Sequence, residues 1–285
     1  MLKKIVMSAV AAVSCLAVLT ACTNDGAKGR LIAKVIDVDL TSEEYAFAVD
    51  PHQGELLDKV NTYIATIQAD GTFDTICDRY FGKGTPVAVS SVPEDMKKDQ
   101  LIVATSAAFE PFEYMEGSDY LGVDMEIAAG LADYLGMELV IMNMDFDAVL
   151  PSVNQGLCDI AMSALTVTDE RKEIVNFSSP YYTASQRLIV RSDNNEFRDD
   201  MDLVQLEEIL KGKDASVCVG VQSGTTAQYY CEGDADLGFE GFAMTVKTYK
   251  NDYLAVQDLL NGNVNYVVVD SVPAKFITES INEMQ

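Results

Sequence analysis

The sequence predicts an α/β fold of two lobes. Short β-rich runs alternate with helical patterns along most of the chain, which is typical of parallel-rich sheets that carry helices on both faces. Several helical patterns stop at a glycine, as helix ends commonly do. The 285 residues are enough for two domains of ordinary size. In open sheets of this kind, ligands bind at the carboxyl ends of strands, often beside helix N-termini.

The first 21 residues predict a leader rather than part of the fold. Lys3 and Lys4 precede an apolar run at 5–19 that is short for a membrane span. The sequence LTAC, ending at Cys22, resembles a bacterial lipobox. We therefore expect a signal peptide (1–21), a lipidated Cys22, a tether (22–30) and an extracytoplasmic protein anchored in the cell membrane. An ordinary signal peptide followed by an incidental cysteine is the alternative.

Composition excludes several classes of function. The chain has 45 acidic and 20 basic residues, a net charge of −25, and such a surface repels the phosphates of nucleic acids. The only histidine, His52, lies in a Pro-His-Gln-Gly turn. A histidine-based catalytic triad and a multi-histidine metal site are therefore excluded, and we expect no cofactor and no metal.

Four cysteines follow the leader and lack the spacing of a zinc site: Cys77, Cys158, Cys218 and Cys231. An extracytoplasmic compartment permits disulfides. Cys218 with Cys231 is the favoured pair, and buried free thiols are the alternative.

The elements are predicted in the following order. Strands are expected at LIVAT (101–105), ELVIMNM (138–144), DIAMSAL (159–165), QRLIVR (186–191), SVCVGV (216–221) and NYVVVD (265–270). Helices are expected at DMEIAAGLADYLGM (124–137), DFDAVLPSVNQG (145–156), LVQLEEILKG (203–212), TTAQYYCEG (225–233) and DYLAVQDLLNG (252–262). An earlier stretch, ADGTFDTICDRYFG (69–82), has the pattern of a domain's last helix, yet about 200 residues follow it. A linker rich in small residues and proline comes next (83–100).

From Leu101 onward the chain resembles the polar amino-acid family of bacterial extracellular solute-binding proteins, the capture subunits of ABC importers. The resemblance is carried by LIVATSAAFEPFEY, YLGVDMEIAAGLADYLG, MDFDAVLPSVNQGLCDIAMSALTVTDERKEIVNFSSPYY, GVQSGTTAQYY and GNVNYVVVDSVPAKFI, which occur in the family's order. It implies a two-lobe, type II periplasmic-binding-protein-like fold with a cleft between the lobes.

The family's C-terminal segment resembles residues 34–82, which here stand at the front. We therefore expect a circular permutant, with hinges near 42–45 and 181–185. Lobe 1 is then 44–184, including the permuted segment 44–82 and the linker 83–100. Lobe 2 is 31–43 together with 185–285. The alternative is that 34–82 is a remnant that packs elsewhere or swaps between chains.

The resemblance also implies a binding site for an α-amino acid. Arg171 would hold the ligand carboxylate through two parallel hydrogen bonds, helped by the N–H and hydroxyl of Thr166. Backbone N–H groups at Gly224, Thr225 and Thr226 would complete the anion site. Without the resemblance, a surface arginine and a simple helix cap would explain these residues equally well.

The ammonium and side chain of the ligand are assigned in the same way. Asp270 would receive the ammonium, helped by the carbonyl of Ala164 and the hydroxyl of Ser163. Phe109 and Phe146 would form aromatic walls. Ser106 and Gln222 stand where other members carry charged residues, so a neutral polar amino acid is predicted.

The predicted function is that of a monomeric receptor that delivers an amino acid to an ABC transporter permease. Two alternatives stay open: a lipoprotein that senses a small solute, and an enzyme resembling cyclohexadienyl dehydratase. The sequence shows no evident catalytic set, which argues against an enzyme.

Overall fold

Two five-stranded sheets organise the chain in the computed structural model, which describes residues 30–82 and 84–284. The predicted leader, the lipidation site at Cys22 and all of the tether except Arg30 lie outside the described residues. Of the helices in the described part, none combines the length and apolarity that crossing a membrane requires.

Fifteen strands and nine helices are formed by the described residues. The strands are β1 (Ala33–Val35), β2 (Glu43–Tyr45), β3 (Ala48–Val49), β4 (Gln100–Thr105), β5 (Ala108–Phe109), β6 (Glu113–Glu116), β7 (Asp119–Leu121), β8 (Glu138–Asn143), β9 (Ile160–Ala161), β10 (Asn176–Phe177), β11 (Tyr182–Ala184), β12 (Gln186–Arg191), β13 (Cys218–Gln222), β14 (Thr245–Tyr249) and β15 (Tyr266–Asp270). The helices are α1 (Gly54–Ala69), α2 (Thr72–Phe81), α3 (Val123–Leu135), α4 (Phe146–Asn154), α5 (Asp169–Lys172), α6 (Leu203–Lys211), α7 (Thr226–Glu232), α8 (Asp252–Leu260) and α9 (Ser271–Met284).

Both large sheets are mixed, and they share one plan. The first has the order β10-β3-β9-β4-β8 and the second the order β1-β12-β15-β13-β14. In each sheet the first two pairings are antiparallel and the last two are parallel. Parallel pairing is therefore confined to three adjacent strands per sheet. Each antiparallel pairing involves β1 or β3, from the first 50 residues, or β10 or β12, which flank β11.

The chain passes between the two sheets twice, through β2 and β11. Strand β2 follows β1 of the second sheet and precedes β3 of the first, while β11 leads from β10 of the first sheet to β12 of the second. The two crossing strands pair with each other, with Tyr182 opposite Tyr45 and Ala184 opposite Glu43. These paired strands coincide with the two hinges expected from the sequence.

The segment 34–82 is built into the rest of the same chain. Strand β3 lies between β10 and β9 in the first sheet, and α1 and α2 pack on α3. Phe47, which follows β2, is 1% exposed and stacks on Tyr181 at 4.4 Å between ring centroids. These contacts pack the segment 34–82 against residues 101–184 of its own chain.

The four cysteines of the described region are free thiols, so the favoured Cys218–Cys231 disulfide is not formed. The two side chains lie on opposite faces of the second sheet. Cys218 packs with residues of α8 and α9, whereas Cys231 on α7 packs with residues of α6 and the other face of β13. Because a sheet separates them, the short sequence distance between these cysteines does not bring their sulfurs together.

Several elements were not expected from the sequence. The meander β5-β6-β7 and strand β14 carry exposed polar residues and weak alternation, so no strand pattern stands out. The predicted strand at 159–165 is only two residues long, because its later part turns into the cleft. The other predicted helices and strands occur within a few residues of their expected ends.

Candidate functional site

A cavity lies between the two sheets. Eleven of the twelve residues predicted to contact the ligand line it, all except Gly224, together with one further residue, Glu113. The lining residues are Ser106, Phe109, Glu113, Phe146, Ser163, Ala164, Thr166, Arg171, Gln222, Thr225, Thr226 and Asp270. The mixture of aromatic and polar walls suits a small polar molecule.

Strand ends explain why these side chains meet. Ser106 directly follows β4, and Ser163 and Ala164 come just after β9, its parallel neighbour. On the other side of the cavity, Gln222 ends β13 and Asp270 ends β15, which are also parallel neighbours. The carboxyl ends of parallel strands meet at one edge of a sheet, so each sheet presents its polar ends to the cleft.

Arg171 reaches across the cleft from α5. Its guanidinium donates hydrogen bonds to the carbonyl of Thr166 at 2.7 Å and to the carbonyl of Gly224, on the opposite side, at 3.0 Å. It also lies over the ring of Phe146, 5.6 Å from the centroid. Burial lowers the pKa of the Arg171 guanidinium, which nevertheless stays charged at neutral pH. Two of its five N–H groups are used within the described residues, and the others can serve an anion.

Two groups that were predicted to bind the ligand carboxylate donate their hydrogen bonds to other residues in the structure. The Thr166 hydroxyl donates to Glu43 Oε2 at 2.7 Å, so its proton is not available to a ligand carboxylate. The N–H of Gly224 donates to Gln228 Oε1 at 2.9 Å. Other side chains satisfy both groups, one distant in the sequence and one on the following helix, and the anion site is left with Arg171 and with N–H groups at Thr166, Thr225 and Thr226.

The start of α7 keeps the polarity that an anion site needs. Thr225 is the N-cap residue, but its hydroxyl donates to the carbonyl of Gln222 at 2.8 Å instead of capping the helix. The first N–H groups of a helix have no partner within the helix. In α7 these groups belong to the end of the helix at Thr225 and Thr226, which line the cavity.

Asp270 forms the acidic pole of the cavity. Its carboxylate accepts a hydrogen bond from the hydroxyl of Tyr45, on the crossing strand β2. Burial, and then the negative charge of Glu43, raise the pKa of Asp270 to about 7. A cation beside this carboxylate would favour its ionised form.

Ala164 is held in an unusual backbone conformation, with a φ of 44°. Its N–H donates to Asp124 Oδ2 at 2.9 Å, and Asp124 Oδ1 accepts from the hydroxyl of Tyr181 at 2.6 Å. A left-handed alanine is unfavourable by itself, so the buried Asp124 carboxyl stabilises the turn that aims the Ala164 carbonyl. Burial raises the pKa of Asp124 to about 7.

The two predicted aromatic walls are in place. Phe109 on β5 stacks on Phe112 with centroids 6.2 Å apart, and Phe146 begins α4 beneath Arg171.

Gln222 is buried and donates from Nε2 to the carbonyl of Lys250 at 3.0 Å. Ser106 donates from its N–H to Ser163 Oγ at 3.0 Å.

Glu113 is the lining residue that sequence reasoning missed. It is 1% exposed, and its Oε1 accepts a hydrogen bond from Ser163 Oγ at 3.0 Å. Its Oε2 is buried and has no partner among the described residues. Burial, and then the charge of Asp124, raise the pKa of Glu113 well above its ordinary range. Glu113 lies directly opposite Phe109 in the β5-β6 register, so a predicted hairpin would have placed both side chains on one face.

The sequence model of the bacterial extracellular solute-binding proteins, family 3, matches residues 101–270. The arginine-binding extracellular protein ArtP of Bacillus subtilis is 30% identical over 70% of this chain and 72% of its own length. The L-cystine-binding protein TcyJ of Escherichia coli is 26% identical over 66% of this chain and 65% of its own length. The match thus spans about two thirds of these relatives.

A solved structure, described as the substrate-binding protein of an amino acid ABC transporter, is similar in fold. It has 29% sequence identity and a TM-score of 0.55, covering 64% of this chain and 75% of the other. The relatives compared are named as binding proteins.

Replacing Asp124 by asparagine tests whether the Asp124 carboxyl stabilises the turn at Ala164. The folded-state pKa near 7 exceeds the ordinary value near 4, so the stability that protonation of Asp124 supplies is full below pH 4 and is lost as the pH rises through 7. Asparagine keeps an acceptor but never ionises. Relative to wild type, Asp124→Asn should therefore gain about 4 kcal/mol in free energy of unfolding between pH 4 and pH 8. Urea unfolding at both pH values measures this change.

Asp133, an exposed residue of the same helix α3, provides the matched control. Asp133→Asn should show no comparable pH-dependent difference. An Asp124→Asn effect of the same size at both pH values would contradict the argument.

Proposed function

This chain belongs to the bacterial extracellular solute-binding proteins of family 3, and from that premise we propose that it captures an α-amino acid in the cleft between its lobes. The observation that carries the proposal is one cavity with a buried guanidinium, Arg171, and a buried carboxylate, Asp270, on its walls. An α-amino acid bears the two complementary charges on adjacent groups. The protein would bind the ligand outside the cytoplasm and deliver it to an ABC importer.

We assign the two ends of the ligand as follows. Its carboxylate is held by Arg171 and by N–H groups of Thr166, Thr225 and Thr226. Its ammonium is held by the carboxylate of Asp270, with the Ala164 carbonyl and the Ser163 hydroxyl as further acceptors. These partners come from both sides of the cleft, so a bound ligand would favour the closed arrangement of the lobes.

The side chain of the ligand is proposed to be neutral and polar. Ser106 and Gln222 are uncharged, and the raised pKa of Glu113 favours the neutral form of its carboxyl. A neutral carboxyl can donate one hydrogen bond and accept another, which matches an amide side chain. A cationic side chain is the second candidate, because Glu113 could ionise beside it and because one relative is named for arginine.

The chain is also proposed to be a circular permutant with lobe 1 at 44–184 and lobe 2 at 31–43 together with 185–285. The two crossings at β2 and β11 support these limits. The ends of the described chain lie together: the N–H of Ala33 donates to Asn282 Oδ1 and Asn282 Nδ2 donates to the carbonyl of Ala33, both at 2.9 Å. Joining the ends would therefore restore the order expected of the family.

Binding is tested by titrating the purified protein with each common L-amino acid and with L-cystine, by calorimetry and thermal shift. A ligand at about 100 times its Kd should stabilise the fold by about 2.7 kcal/mol. We expect a neutral polar amino acid to bind, and Arg171→Lys and Asp270→Asn each to weaken binding by at least about 30-fold. Lysine keeps the positive charge but lacks the guanidinium fork that holds both carboxylate oxygens, and asparagine removes the negative charge that pairs with the ligand ammonium.

The exposed pair Arg198 and Asp200 supplies the matched controls. Arg198→Lys and Asp200→Asn should leave Kd unchanged. A folded protein that binds no amino acid would overturn the proposal. A preference for arginine or lysine would replace the neutral class by the cationic one.

The permutation is tested by a rearranged chain that begins at Gln100, joins residue 284 to residue 31 through a few glycines and serines, and ends at Gly82. Because Ala33 and Asn282 already touch, this chain should fold as a monomer and bind the same ligand within a few-fold of the original Kd. Light scattering and calorimetry measure both. A misfolded chain, or one that forms exchanged dimers, would contradict the proposal.

Lipid anchoring at Cys22 is tested by cell fractionation and by mass spectrometry of the N-terminus. The LTAC sequence leads us to expect the protein in the membrane fraction with a lipid on Cys22. Cys22→Ala should release it from that fraction. Cys15→Ala is the matched control and should change nothing, since Cys15 lies within the predicted leader. A wild-type chain cleaved elsewhere and free of lipid would disprove the anchor.

A further inference from the structure

Strand β2 places two polar side chains behind the acidic pole of the cavity. Glu43 and Tyr45 are both buried, whereas Glu44 between them is exposed. Alternate residues of a strand share a face, so both side chains point inward from the crossing strand. Neither residue lines the cavity itself. Any effect on a ligand must therefore pass through residues that do.

Tyr45 is fixed from every side. It is fully buried, stacks on Tyr182 at 5.8 Å and meets the edge of Phe112 at 5.2 Å between ring centroids. Its hydroxyl donates to Asp270 Oδ1. Because the ring cannot move freely, the donated hydrogen bond holds the Asp270 carboxylate in one orientation.

Glu43 connects the two sides of the cleft. Its Oε2 accepts from Thr166 Oγ1 at 2.7 Å, and its Oε1 accepts from Gln186 Nε2 at 3.1 Å and from Thr41 Oγ1 at 2.5 Å. Gln186 is the direct neighbour of Asp270 in the β12-β15 register. The Glu43 carboxylate is therefore held close to both poles of the cavity.

We propose that Glu43 and Tyr45 are positioning residues that together set the charge and direction of the Asp270 carboxylate, and thereby the pH range in which the cavity captures its ligand. The inference rests on the proposed function, because it takes Asp270 as the receptor of the ligand ammonium.

The two residues act in opposite directions. The Tyr45 hydroxyl stabilises the ionised carboxylate, while the charge of Glu43 favours the protonated form. Burial adds to the effect of Glu43, and the balance raises the pKa of Asp270 to about 7. The remaining charged groups that interact with Asp270 are Arg171 on α5, Glu113 on β6 and Asp252 on α8.

The direction of the pH dependence follows from this balance. An ammonium binds the ionised Asp270, so below pH 7 the carboxyl must lose a proton before the ligand is held. The affinity should be level above about pH 7 and should fall by about tenfold per pH unit below it. The lost proton should appear in the solvent when ligand binds at pH 6.

The test measures Kd against pH, by calorimetry, with the amino acid found by the ligand screen. Tyr45→Phe removes the hydroxyl and keeps the ring, so the midpoint should move upward by about 1 pH unit. Glu43→Gln removes the charge and keeps the shape, so the midpoint should move downward by about 1 pH unit. Calorimetry in two buffers of different ionisation enthalpy counts the released proton.

Tyr182→Phe is the matched control. It removes a hydroxyl from the same aromatic cluster, but the side-chain hydrogen bond to Asp270 comes from Tyr45. This variant should keep the wild-type midpoint. If Tyr45→Phe and Glu43→Gln change the affinity equally at all pH values, their role is only structural and the inference is overturned.

A measurement without ligand separates this inference from the proposed function. The carboxyl carbon of Asp270 can be followed by NMR in the empty protein, with Asp270→Asn to assign its signal. The same opposite shifts should appear in its titration. If no amino acid binds but these shifts occur, the proposed function fails while the control of Asp270 stands. Unshifted titrations overturn the inference whatever binds.

Discussion

The structure depends on two opposite charges buried in one cleft without being paired with each other. Among the described residues, Arg171 donates only to backbone carbonyls, and the Asp270 carboxylate accepts from the Tyr45 hydroxyl. Burying a charge without a counter-ion is costly, so each is held by neutral dipoles that reduce this cost. A ligand that carries both complementary charges removes the remaining cost at both poles at once. The two poles stay apart because Arg171 lies on α5 on one side of the cleft and Asp270 ends β15 on the other, yet both line the same cavity.

The strands that cross between the sheets also contact residues of the cavity. Glu43 and Tyr45 lie in the chain's first 50 residues, outside the region matched by the family model, yet they contact Thr166, Gln186 and Asp270. A segment that only filled space could be replaced by any apolar surface. This segment supplies β3, the second strand of one sheet, and polar groups behind both poles, which ties the fold of residues 34–82 to the chemistry of the cavity.

Carboxyl groups are unusually concentrated around the cavity. Glu113, Asp124, Asp252 and Asp270 are all buried, and burial raises the pKa of each. Their protonated forms act as hydrogen-bond donors as well as acceptors, so a group of acids can line a closed cavity without strong mutual repulsion. The same acids make the cavity responsive to a ligand cation, because a positive charge shifts the balance towards their ionised forms.

The sequence by itself determined the order of most elements, the resemblance to a two-lobe binding fold, and, through that resemblance, eleven of the twelve residues that were expected at the cavity. Local patterns gave the strand ends and helix starts, and parallel strands bring their carboxyl ends to one edge, but the roles of the residues there came from the resemblance. Only the tertiary structure decided the places of Glu113, Glu43 and Tyr45 beside the cavity, and whether Cys218 and Cys231 form a disulfide. Those outcomes depend on which face of a strand meets which partner: Tyr45 and Asp270 are 225 positions apart, and Cys218 and Cys231 are separated by a sheet. Local patterns carry no record of such contacts, since a one-residue change of register would exchange every face.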